Sequence, residues 1–187
     1  MKTILLLSLA ALGAGPGRAQ ALKPVVGVGT TFGYTFDLHG QHAPFELAIA
    51  GATDTLKLTW RIRGLAGGGY AVSPTAWQQA DALYVAQPLP AQTVRLPDSQ
   101  TFLMLSKSAF ATLLARHRFV YNNTVYDLRD DTAAHPLLLG GQPLDVVHAV
   151  AQDDPTELWI LRNATFPVIC QITHNPLGVN AVLTTIK

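Results

Sequence analysis

The chain has 187 residues, 13 of them basic and 12 acidic, and only 13% carry a charge. An ordinary soluble domain carries roughly 25%, and a binder of nucleic acid or anionic membrane has a basic excess that this chain lacks. A single cysteine, Cys170, excludes an intramolecular disulfide, so packing must hold the fold.

The first elements concern destination. Met1-Lys2 makes a positive start, Ile4 to Leu12 is an apolar run broken by Ser8, and Gly13-Ala-Gly-Pro-Gly17 ends it. Small residues follow at Ala19 and Ala21. That order predicts a secretory signal peptide over residues 1–21, with cleavage after Ala19 or Ala21 fitting equally well. No cysteine lies near the junction to take a lipid anchor. The expected location is extracytoplasmic, periplasmic or secreted, and no transmembrane segment is expected in the mature chain. Residues 22–187 are read as a single domain with a sizeable core. Losing Lys2 and Arg18 leaves 11 basic residues against 12 acidic ones, so the mature chain has no charge excess.

From Thr30 the dominant period is two. Phe32, Tyr34, Phe36 and Leu38 alternate with Gly33, Thr35 and Asp37, and Phe45, Leu47 and Ile49 with Glu46 and Ala48. Leu56, Leu58, Trp60 and Ile62 against Lys57, Thr59, Arg61 and Arg63 is the clearest case. Such alternation predicts strands with one face on a core and the other in water. Gly51 to Asp54 and Gly64 to Gly69 are read as turns, so neighbouring strands should pair antiparallel.

Ser73-Pro74 predicts a helical turn, with serine as cap and proline at the first helical position. The main helix is predicted over Ser106 to His117, capped by Ser106, with Ala109, Phe110, Leu113 and Leu114 as its apolar stripe. Phe119 to Tyr121 and Val125 to Leu128 flank Asn122-Asn-Thr124, which predicts a hairpin. Leu144, Val146, His148 and Val150 alternate, as do Leu158 and Ile160 with Trp159 and Leu161 opposite. Strands over Pro167 to Thr173 and Val179 to Ile186 finish the chain. The predicted fold is mainly β: an antiparallel sheet of about ten strands, curled into a roll, partial barrel or sandwich, with one short α-helix.

The stretch Leu96-Pro-Asp-Ser-Gln-Thr-Phe-Leu-Met-Leu-Ser-Lys-Ser-Ala-Phe110 resembles a segment of exported bacterial β-rich proteins of unknown function. The ending, Leu158-Trp-Ile-Leu-Arg-Asn163 followed by Phe166-Pro-Val-Ile169 and a final strand, is similar too. The resemblance implies export and a β fold, and it implies no activity.

No motif nominates catalytic or metal-binding residues, and no cofactor is expected. His39-Gly-Gln-His42 has the H-x-x-H spacing with Asp37 on the face of His39, yet it reads as a hairpin tip without fixed ligand geometry. Asp127, Asp130, Asp131 and His135 lack the alternate ligands of a calcium loop and read as a solvated turn. His117, His148 and His174 are scattered. Ser106 and Ser108 lack a nucleophile-elbow context, and Ser106 is better explained as a cap. Gly27-Val-Gly29 has Phe32 where a dinucleotide loop needs its third glycine. Gly67-Gly-Gly69 lacks the lysine of a phosphate loop and reads as a turn. Asn122-Asn-Thr124 and Asn163-Ala-Thr165 are glycosylation sequons. Cys170, among Phe166, Val168 and Ile172, reads as a small buried hydrophobe.

Low charge has two readings: compositional drift, or a patch or cavity for an apolar small molecule or an envelope protein partner. The expected function is a non-enzymatic binding or structural module of this second kind. Trp60, Trp77, Tyr84 and Trp159 are candidates to line its groove, with core packing as the cheaper role for each. The alternative is a hydrolase whose site is assembled from distant residues. An outer-membrane barrel fits less well, since several strands reach only five or six alternating residues instead of about ten.

Overall fold

The computed structural model describes residues 20–63 and 67–187. The predicted signal segment therefore lies outside the described residues up to position 19, as does Gly64-Leu-Ala66 of the predicted turn.

Among the described residues, fifteen strands and two helices follow in order. The first four strands are β1 (Thr31–Leu38), β2 (Gln41–Ala52), β3 (Leu56–Ile62) and β4 (Gly68–Val72). Helix α1 (Pro74–Gln79) leads to β5 (Ala82–Leu83), β6 (Thr93–Arg95) and β7 (Gln100–Thr101). Helix α2 (Lys107–Arg116) precedes β8 (Arg118–Tyr121), β9 (Thr124–Arg129), β10 (Leu138–Leu139) and β11 (Gln142–Pro143). The chain ends in β12 (Val146–Ala151), β13 (Glu157–Leu161), β14 (Ile169–Thr173) and β15 (Val179–Ile186).

Eleven strands form one open sheet in the order β6-β4-β3-β2-β1-β15-β14-β13-β12-β9-β8, with β6 and β8 at its edges. It is not a closed barrel. Most neighbours pair antiparallel, as the short turns dictate. The last strand closes on the first, Phe36 opposite Ala181 and Asp37 opposite Asn180.

Three expectations need correction. The sheet is mixed, because β6 pairs parallel with β4, and the separate pair β5 and β7 is parallel too. The described residues hold two α-helices instead of one: Ser73-Pro74 opens a full element, with the Ser73 hydroxyl accepting from the Ala76 N–H. The run Gly67-Gly-Gly69 serves strand packing as much as a turn. Each of its glycines faces neighbouring backbone so closely that a Cβ would stand 2.6 to 3.0 Å from a carbonyl oxygen.

Other local expectations match the structure. Leu56, Leu58 and Trp60 are buried, while Lys57, Thr59 and Arg61 are exposed. The β8–β9 hairpin turns through Asn122 and Asn123, both with positive φ, as a right-twisted two-residue hairpin requires. The buried hydrophobic residues fall in one cluster shared by the sheet, both helices and the segment 102–105. Segment 102–105 crosses that cluster, bridging Met104 to Val168, while α2 packs beside β8 and α1 packs against α2.

Candidate functional site

The alternation of β1 and β2 turns Phe36 and Phe45 to the inner face, their rings edge-on at 5.1 Å. Phe102, from the segment after β7, approaches Phe45 at 5.8 Å and Tyr70 of β4 at 4.5 Å. Tyr70 in turn meets Tyr84 edge-on at 5.6 Å. Phe36, Phe45, Phe102 and Tyr84 join Ile62, Leu103 and Ile172 around a cleft of about 370 Å³. The segment Tyr84 to Pro88 and the turn carrying Asn175, Leu177 and Val179 complete its walls.

Three large apolar residues of this lining are exposed: Leu38 at 39%, Val85 at 73% and Leu177 at 63%. They place the mouth of the cleft at the β1–β2 and β14–β15 turns and the loop after β5. Gln87 and Asn175 contribute neutral amides, and the Asn175 Oδ1 already accepts from the Leu177 N–H at 2.8 Å. No lining residue is an acid or a base of the Asp, Glu, Lys, Arg or His kind. Behind the wall, the Tyr70 hydroxyl is buried without a hydrogen-bond partner among the described residues, and burial, then nearby Tyr84, pushes its titration up to about 12. Chemically the cleft suits a neutral apolar group, and its volume lies in the range of small-molecule sites.

A second cluster lies on the other face of the sheet. There His148 of β12 stands between Trp159 of β13 and Arg129 of β9. The His148 Nδ1 is 2.7 Å from the Asp131 carboxylate and its Nε2 is 2.9 Å from Glu157. Its ring lies nearly parallel to the Trp159 indole at 4.2 Å. The other Glu157 oxygen is 3.7 Å from the His174 Nδ1.

The residues singled out in the sequence meet varied ends. His39 sits in the β1–β2 turn with positive φ, against Gly178, while His42 lines a shallow outer groove with Asp37 and His174. Asp127 and Asp131 part company: Asp127 binds Arg118 and Gln152, and Asp131 reaches His148. The solvated-turn reading therefore fails at Asp131. Ser106 caps α2, accepting from the Ala109 N–H, and its hydroxyl also donates to the Ala80 carbonyl. Ser108 lies 3.5 Å from that hydroxyl. Gly27 and Thr30 close a tight turn on each other. Asn122 turns a hairpin, and the Asn163 side chain accepts from the Thr165 and Phe166 N–H groups. Cys170 is fully buried, and that burial pushes its thiol up to about 12.

Of the four proposed groove aromatics, only Tyr84 lines the cleft. Trp60 is core, Trp77 stacks on Phe166 beneath Lys107, and Trp159 covers His148. Among the described residues no three His, Cys, Asp or Glu side chains are grouped to hold a metal ion, and no helix is long and apolar enough to cross a membrane. Comparison with family models, with curated proteins and with solved structures finds no match for the chain.

Proposed function

We propose that this is an exported, non-enzymatic binding protein that takes a neutral apolar molecule, or the apolar part of one, into the cleft between Phe36, Phe45 and Phe102. The observation that carries the reading is the conjunction of an aromatic-lined cleft with three exposed apolar residues at its mouth and no charge in its lining. Burying a charged ligand group there would cost its hydration without a partner. Burying alkyl surface gains roughly 25 cal/mol per Å². In this reading the long sheet curls as a roll around its core. The reach of the Tyr34 hydroxyl across β15 to the Ile169 carbonyl of β14, at 2.9 Å, supports that shape. The leader-like residues 1–21 support export.

The test is an environment-sensitive apolar dye titrated into the folded mature protein and into Leu177→Arg. Leu177 is exposed, so the variant should keep its fold. The dye should bind saturably to the parent with little dependence on salt, and about tenfold or more weakly to the variant, since a charge now stands at the mouth. Equal binding by both proteins counts against the cleft as the site.

A further inference from the structure

We propose that His148 is a proton-dependent clamp, held as the imidazolium, that fastens the segment Asp131–Pro136 to the outer face of the sheet. A neutral imidazole has one N–H, and the protonated ring has two. Here both ring nitrogens point at carboxylates, Nδ1 at Asp131 and Nε2 at Glu157. Only the doubly protonated ring donates to both; a neutral ring turns a lone pair toward one of them. The Trp159 indole lies parallel, with 12° between the planes, and offers its π face to the cation.

The groups facing the ring come from every element packed on it. Arg129 of β9 lies directly across the strand pair, and Glu157 and Trp159 come from β13. Asp131 and His135 belong to the segment after β9, and His174, beyond β14, reaches in through Glu157. Among the described residues lining this groove, two carboxylates against one permanent cation, Arg129, leave a negative surplus that a protonated His148 offsets. With only 5% of its surface exposed, His148 makes these contacts with little competition from solvent.

The mechanical consequence lies in Asp131. Its carbonyl accepts from the N–H groups of Ala134 and His135, both at 2.9 Å, so it heads the turn that runs to Pro136. Its side chain ties that turn to β12. Loss of the ring proton leaves one N–H for two carboxylates; with it kept on Nε2 toward Glu157, Asp131 is released and the turn loosens beside the groove formed with Trp159 and Glu157.

Three measurements on the mature protein test the clamp. In wild type, ¹⁵N NMR of the His148 ring should show both nitrogens protonated at about pH 6 and one deprotonated by about pH 9. Exchange protection of the Ala134 and His135 amides, corrected for intrinsic rate, should fall about tenfold or more over the same interval, as expected for a hydrogen bond between charged groups. His148→Gln should show low protection at both values. Glu157→Gln should stay protected at both, because its amide can donate to a neutral ring that still donates to Asp131. A ring with a single N–H at about pH 6 overturns the proposal. So does wild-type protection that ignores pH, or a Glu157→Gln variant that keeps the parent's pH dependence. The ring and protection measurements on wild type need no variant and together decide the matter if either substitution fails to fold.

Discussion

Gly68 lies so close to the indole of Trp60 that a Cβ at position 68 would stand 2.7 Å from the ring and 2.8 Å from the Leu89 and Gln92 carbonyl oxygens. The hydrogen side chain lets the segment before β6 close over the β3–β4 ladder. Gly68→Ala should therefore destabilise the protein by roughly 1–3 kcal/mol, the usual cost of overpacking. Gly27→Ala is the control, since nothing lies within 4 Å of the place its methyl would take, and it should stay within about 0.5 kcal/mol of the parent. Urea midpoints with unchanged slopes give both values; equal midpoints would remove the steric argument.

Trp60 itself is 3% exposed, and its Nε1 is buried with no hydrogen-bond partner among the described residues. Trp60→Ala should cost roughly 3–5 kcal/mol from lost contacts and the cavity left behind. Trp60→Phe should cost much less, because it keeps most of the ring and removes a donor that already lacks a partner. Equal losses in the two variants would show that the indole N–H contributes more than the described contacts allow.

The Ser106 hydroxyl makes two bonds, accepting from the Ala109 N–H at 3.3 Å and donating to the Ala80 carbonyl at 2.6 Å. From capping alone, Ser106→Ala would cost roughly 0.5–2 kcal/mol and Ser106→Gly only a few tenths. The second bond changes that expectation. Both substitutions orphan the Ala80 carbonyl, so both should lose on the order of 1 kcal/mol or more. A near-neutral Ser106→Gly in chemical denaturation would mean that the bond to Ala80 contributes nothing.

Arg118 donates to the Asp127 carboxylate at 2.7 Å, and the Gln152 amide donates to its other oxygen. Arg118 first, then Gln152, holds the Asp127 carboxyl below its ordinary range. A carboxyl depressed in the folded state stabilises that state above its unfolded value, and the contribution is lost as pH falls through the folded one. Arg118→Gln should shift the Asp127 titration upward in a carboxyl ¹³C NMR experiment, and an unchanged titration would contradict the pairing. Because the pair is exposed, its effect on unfolding should be small and weaken with salt.

Where side chains simply alternate, the structure was legible from the chain. Leu56 to Ile62 show the strict period of a half-buried strand, and Ser73, Ser106 and the Asn122-Asn123 turn carry local chemistry that needs no tertiary partner. Strands β5, β7, β10 and β11 have two residues each, too few to show any period. The parallel strand β6 has three, and its pairing is set by the glycines of β4. At β12 the apolar period misleads. His148 and Val150 share the outer face with Trp159, while Val146, Val147, Ala149 and Ala151 all belong to the buried core.

The sites were hidden for a related reason. The cleft gathers Phe36, Ile62, Tyr84, Phe102 and Leu177, and the polar cluster gathers Asp131, His148, Glu157 and His174. Only sheet topology, with β15 inserted between β1 and β14, brings the Leu38 end of β1 beside the turn carrying Leu177 at the cleft mouth. The available signal was a modest one: an uncharged run from Tyr84 to Gln92, broken by prolines, in a chain poor in charge.

Whether the cleft receives neutral apolar matter is decided by a single titration. The folded protein of residues 22–187, isotopically labelled, is titrated with a medium-chain alkyl alcohol while amide and aromatic shifts are followed. Saturable changes should centre on Phe36, Phe45, Ile62, Tyr84, Phe102 and Leu177, with intermolecular contacts from the alkyl chain to the Phe36 and Phe102 rings. Absence of saturable binding, or changes centred elsewhere on the sheet, would refute the cleft as a binding site.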